Sequence, residues 1–90
     1  MTMTNDTTAT LTAPSTAEVA ELIASIYRET LGDDTLDTTS DFYEAGGDSL
    51  SAFQITARVQ EALGVEVPVA LVFAYPTPAD LATVCLPDGS

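Results

Sequence analysis

The sequence predicts a single all-α domain: three main helices plus one short helix, with a long first loop. Three observations point there. Apolar residues recur at helical spacing in separate windows, start and stop signals bracket those windows, and 46% of the 90 residues are apolar. A chain of this length buries only about 60% of its unfolded surface. That suits a small bundle and leaves no room for a deep catalytic cleft beside a core.

Residues 1–14 read as a flexible N-terminal tail of Thr, Asn, Asp and Ala ending at Pro14. Ser15-Thr16-Ala17-Glu18 has the form of a capping box, so the first helix is expected to open there. Val19, Leu22, Ile23, Ile26, Tyr27 and Thr30 follow on one face, and Gly32 supplies a left-handed stop. From Gly32 to Gly47 no helical period is sustained. This stretch reads as a long ordered loop, with Leu36, Phe42 and Tyr43 as candidate core anchors, and long loops in compact domains are usually functional.

Asp48 is a good N-cap for a second helix running to Leu63 and stopped by Gly64. Val69 to Ala74 reads as a brief helical turn closed by Tyr75-Pro76. The last helix opens at Thr77-Pro78-Ala79-Asp80, where Thr caps and Pro fits the first helical position. Leu81, Val84 and Cys85 are its expected apolar stripe, with Pro87 ending it. The folded domain is thus expected over residues 15–86, with residues 87–90 as a C-terminal tail.

Charge narrows the function. Fourteen acidic residues stand against Arg28 and Arg58, a net charge of −12. Such a field repels nucleic-acid backbones and anionic membrane surfaces, and favours protein partners with basic docking patches. The absence of histidine removes Ser-His-Asp and Cys-His catalysis and most zinc chemistry. Cys85 is alone, which suits a reducing compartment. No secretory signal or membrane span is visible, so a cytoplasmic location is expected.

The second helix carries more apolar surface than a small core needs. At 100° per residue, Ala52, Ile55, Val59, Ala62 and Leu63 share one face. Leu50, Phe53 and Ala57 share another, roughly 160° away by the same arithmetic. Two large apolar side chains on the second face of an acidic protein suggest a docking surface.

Beside them lies Gly46-Gly47-Asp48-Ser49-Leu50, where the acidic loop becomes the helix. Paired glycines permit a tight turn and close backbone approach. A serine in the first helical turn holds its hydroxyl beside unpaired backbone N–H groups and the positive end of the helix dipole. That environment stabilises a phosphate esterified to the hydroxyl. The segment is fit to hold a phosphodiester on Ser49.

From Asp41 to Ala82 the chain resembles the phosphopantetheine-binding carrier domains, especially the free-standing peptidyl carriers of nonribosomal peptide synthesis. The matching segments are Asp41-Phe42-Tyr43-Glu44-Ala45-Gly46-Gly47-Asp48-Ser49-Leu50, Ala57-Arg58-Val59 and Leu63-Gly64-Val65-Glu66-Val67-Pro68. Val72-Phe73-Ala74-Tyr75-Pro76-Thr77-Pro78 and Leu81-Ala82 complete the pattern. The resemblance implies a four-helix carrier-protein bundle, non-catalytic and monomeric. It implies 4'-phosphopantetheine attached covalently to Ser49 from coenzyme A by a phosphopantetheinyl transferase with magnesium. An adenylation or ligase enzyme would load the arm, and condensing or tailoring enzymes would unload it. Gly46, Gly47 and Asp48 would shape the attachment site, and Leu50 and Phe53 would meet partners. Acidic fatty-acid-type carriers tend to place carboxylates along this helix, whereas here Ser51, Phe53, Gln54 and Arg58 follow the serine. The net charge exceeds that of typical peptidyl carriers, so polyketide-type or aryl carrier service remains an alternative, as does an unmodified acidic adaptor.

Two other readings are weaker. Asp33, Thr35, Asp37 and Glu44 fall at calcium-ligand spacing, but Thr38 stands where such a loop needs glycine, so no metal site is expected. A lone cysteine ending an apolar stripe is more often packed than reactive, so Cys85 is expected in the core.

Overall fold

The computed structural model describes residues 15–85. Helix α1 spans Thr16–Leu31, α2 Ser49–Leu63, α3 Ala70–Ala74 and α4 Pro78–Val84, and no strand occurs among the described residues. The all-α expectation and the order of elements hold. The N-terminal tail, Pro87 and the C-terminal tail lie outside the described residues.

Local chemistry sets the helix ends. At α1 the Glu18 N–H donates to Ser15 Oγ (3.1 Å) and the Ser15 N–H to Glu18 Oε1 (2.8 Å), a reciprocal capping box. Gly32 and Gly64 end α1 and α2 in the left-handed conformation, each at φ 70°. Thr77 Oγ1 caps α4 by accepting from the Asp80 N–H (3.1 Å), with Pro78 at the first position.

Helix α1 packs against both α4 and α2, most extensively against α4. Val19, Ile23, Tyr27, Phe42, Ile55, Val59, Val72 and Leu81 are fully buried between the elements. The long loop is drawn into this core by Leu36 and Phe42. It is tied down by hydrogen bonds from Arg28 Nη1 to Leu36 O (2.9 Å), Phe42 N–H to Pro76 O (2.9 Å) and Ala79 N–H to Thr38 O (2.8 Å). The Tyr27 hydroxyl donates to the same Pro76 carbonyl (2.8 Å). Burial, the Asp41 charge and Cys85 push its pKa well above the ordinary phenol range.

Three placements differ from expectation. Ala62 is exposed, because the buried stripe of α2 is Ala52, Ile55, Thr56 and Val59, and Ala62 sits roughly 70° from its centre. Thr56 takes a place in that stripe by donating its hydroxyl to Phe53 O (2.9 Å). Val84 is exposed for a similar reason: Pro78, Leu81, Ala82 and Cys85 form the inner stripe, and Val84 lies roughly 110° away. Tyr43 is 53% exposed, since its neighbour Phe42 takes the inward slot and Tyr43 lies across the core's edge. Cys85 is buried as expected, and burial raises its thiol pKa.

Candidate functional site

The loop reaches α2 through a tight turn. The Ala45 N–H donates to Asp41 O (2.9 Å), Gly46 N–H to Tyr43 O (3.1 Å) and Gly47 N–H to Phe42 O (2.9 Å). Gly46 stands at φ 87°, in the left-handed region that favours glycine. Gly47 needs its missing side chain for another reason: a Cβ there would fall on the edge of the Phe42 ring. The two glycines therefore do different work. The first turns the chain, and the second seats the turn on a buried aromatic.

Asp48 follows as the N-cap of α2, with extended backbone (φ −135°, ψ −174°). Its Oδ1 accepts from the Ser51 N–H (2.9 Å) and from the Ser51 hydroxyl (3.0 Å). These bonds hold the Asp48 carboxyl below the usual carboxylate range. A depressed pKa stabilises the fold at pH above the ordinary Asp value, and that stabilisation is lost as pH falls through the lower, folded-state value. Exchange protection of the Ser51 amide is expected to fade as pH drops below about 3.9, and Asp48→Ala should remove that pH response. Protection that stayed constant with acid in the wild type would exclude the cap as its source.

Ser49 is the first residue of α2 and is exposed. The cap engages Ser51 and not Ser49, which stands exposed in the first turn, where backbone N–H groups lack intrahelical acceptors. A phosphate attached covalently at this position meets the positive end of a 15-residue helix. Leu50 and Phe53 are 66% and 59% exposed on the outer face of α2. They flank the serine and are not among the buried core residues.

Of the residues singled out in sequence, Gly46, Gly47, Asp48, Ser49, Leu50 and Phe53 thus lie on one continuous segment. Sequence reasoning missed Ser51, although an Asp followed three residues later by a Ser is a recognisable cap pattern. It names Tyr43 only as a core anchor and misses its pairing with Phe73, the two rings stacking with centroids 6.3 Å apart. No local signal links residues thirty apart.

Two further carboxylates of the loop, Asp33 and Asp37, form turns. Asp33 Oδ1 accepts from the N–H and hydroxyl of Thr35 (2.9 and 2.6 Å), and Asp37 Oδ1 does the same with Thr39 (2.9 and 2.8 Å). Those bonds lower both Asp pKa values. Among the described residues no group of three or more His, Cys, Asp or Glu is arranged to hold a metal ion.

An exposed serine at the mouth of an amphipathic helix, in a four-helix bundle, defines a carrier-protein architecture. Residues 11–85 match the phosphopantetheine attachment site family, and the chain belongs to it. It is a 4'-phosphopantetheine-attachment carrier domain, homologous to the thiolation domains of nonribosomal peptide synthetases. Phosphinothricin tripeptide synthetase PhsC of Streptomyces viridochromogenes is 45% identical over 64 residues, covering 71% of this chain and 6% of that protein. Tyrocidine synthase 3 of Brevibacillus parabrevis is 41% identical over 71 residues, 79% of this chain and 1% of that protein. The chain therefore spans only a few per cent of the length of these curated relatives. Among solved structures, BlmI, a type-II acyl carrier protein from Streptomyces verticillus involved in bleomycin biosynthesis, superposes with a TM-score of 0.73 at 28% identity. That match covers 90% of this chain and 93% of BlmI. The structure of the phosphopantetheine transferase Sfp with coenzyme A and a peptidyl carrier protein gives a TM-score of 0.71 at 33% identity, covering 81% and 94%.

Proposed function

We propose that Ser49 is the attachment point of the phosphopantetheine arm. Through it the protein, a unit spanning residues 15–86, serves nonribosomal peptide or related natural-product synthesis. The observation that carries this is the exposure of Ser49 at the start of α2, with Ser51 and not Ser49 engaged by the Asp48 cap. A phosphopantetheinyl transferase using coenzyme A and magnesium is the loading partner; adenylation or ligase, condensing and tailoring enzymes are the later ones. When bound, the arm supplies a terminal thiol that holds an acyl or aminoacyl group as a thioester.

The chain's own residues do three things. Ser49 Oγ provides the ester oxygen, and the first turn of α2 offers backbone dipoles to the phosphodiester. Gly46, Gly47 and Asp48 fix where that turn begins. We read the bundle as a non-catalytic, monomeric and cytoplasmic carrier whose chemistry is done by its partner enzymes. No described helix is long and apolar enough to cross a membrane. Tethering raises the cargo's effective concentration at a partner's active site to the mM range without release.

The test is direct. Incubation with a broad-specificity transferase, coenzyme A and magnesium should raise the intact mass by one phosphopantetheine unit, and an unchanged mass would sink the assignment.

The same reading gives Leu50 and Phe53 the role of partner contact. Phe53→Ser is expected to slow loading several-fold while costing under about 1 kcal/mol, as a change at an exposed position does. Urea unfolding and initial loading rates check both halves. A stability loss of about 3 kcal/mol or more would be the signature of a buried aromatic and would return Phe53 to the core.

A further inference from the structure

Helix α3 is the least self-sufficient element. It has five residues, its N-cap Val69 makes no side-chain bond, and isolated helices that short do not persist in water. Its last intrahelical bond is closed by the Tyr75 N–H on Leu71 O (2.8 Å). The carbonyls beyond that point need partners from elsewhere. One comes from the loop that leads into Ser49: the Tyr43 hydroxyl donates to Phe73 O (2.9 Å).

Tyr43 also shapes the turn on the other side. Its N–H donates to Asp41 Oδ1 (2.7 Å), and its carbonyl accepts from Gly46, the residue at φ 87°. Its ring stacks on Phe73 at 25°, and both rings lie in T-shaped contact with Phe42, centroids 5.7 and 6.0 Å away, the ring on which Gly47 rests. One residue, through its side chain on one side and its backbone on the other, therefore ties the end of α3 to the turn that delivers Ser49. It does so while half exposed, so its main work is not burial of apolar surface.

We propose that Tyr43 is a positioning residue, a strap that couples the placement of α3 to the orientation of Ser49 during loading. This rests on the assignment of Ser49 above. In Tyr43→Phe the ring stack survives and only the hydroxyl is lost. Misorientation of a docked nucleophile lowers turnover more than affinity. The Leu50 and Phe53 surface is untouched.

Two measurements on the full chain test this. Amide hydrogen exchange should rise at least threefold at Tyr75, Gly46 and Gly47 together in Tyr43→Phe, while amides in the middle of α1 stay unchanged. Transferase loading should show kcat reduced about threefold to tenfold with KM held within twofold. Phe73→Leu, which keeps the carbonyl but removes the stack, should give a smaller change in the same direction. Faster exchange at Tyr75 alone, with unaltered loading, would make Tyr43 merely a cap for α3 and overturn the proposal. A uniform rise across the bundle would overturn it too, by assigning Tyr43 to global stability. A wild-type protein that gains no arm would reject the Ser49 assignment instead, and the exchange pattern would still decide whether the strap exists.

Discussion

Ser49→Ala, treated with transferase, coenzyme A and magnesium, is expected to remain at its unmodified mass while the wild type gains one phosphopantetheine unit. The nearest substitute hydroxyl is Ser51, two residues on. It is committed to Asp48 Oδ1 at 3.0 Å and is only partly exposed, so it is held toward the cap and away from an approaching phosphate. Ser40 is similarly engaged, accepting from the Asp37 N–H (2.8 Å) and lying 3.3 Å from Asp37 Oδ1. Stability should change little, since the lost Oγ makes no cap bond and alanine is a good helix former. Intact mass with peptide mapping checks the first half and thermal unfolding the second. A mass gain that maps to Ser51 in the variant would mean that the cap does not select the serine and that its bond to Ser51 does not reserve Ser49 for the arm.

Much of the fold and of the site is legible in the sequence. Helix starts and stops rest on local chemistry. Ser15 with Glu18, Asp48, Thr77 with Pro78, and the two left-handed glycines each act within four residues, so sequence displays them directly. The second apolar face of α2 was legible for the same reason, because helical geometry alone separates Leu50 and Phe53 from Ile55 and Val59. Stripe edges were less so. Ala62 and Val84 fall where a few tens of degrees decide burial, and the neighbouring element makes that decision. Wholly illegible were the bonds that fix the site loop: Phe42 and Tyr27 both donate to Pro76 O, Ala79 reaches Thr38, and Tyr43 reaches Phe73. Each joins residues thirty or more apart, and no local pattern encodes such pairs. Gly-Gly before the serine was readable as a turn, yet the reason for its second member appears only when the Phe42 ring is found beneath it.

That ring is where the fold and the site meet, and Phe42→Ala is expected to be the most damaging single substitution for stability. Phe42 is fully buried. It presents or receives edges at Tyr27, Tyr43 and Phe73, with centroids 6.1, 5.7 and 6.0 Å away. Truncating a buried aromatic costs about 3–5 kcal/mol, against a total stability of about 5–15 kcal/mol for a domain. Urea unfolding should therefore show a large fall in midpoint, and loading should slow because the turn before Ser49 loses the surface on which Gly47 rests. The contact can be isolated from the general loss of core by adding Gly47→Ala. In the wild type the new methyl meets the ring and should destabilise by about 1–3 kcal/mol, the usual cost of overpacking. In Phe42→Ala the ring is gone, so the same methyl has room and should cost much less. Gly47 is not among the positive-φ glycines, so backbone strain does not obscure the comparison. Simple additivity of the two substitutions would show that the glycine is there for some reason other than the ring, because residues in contact couple and independent ones do not.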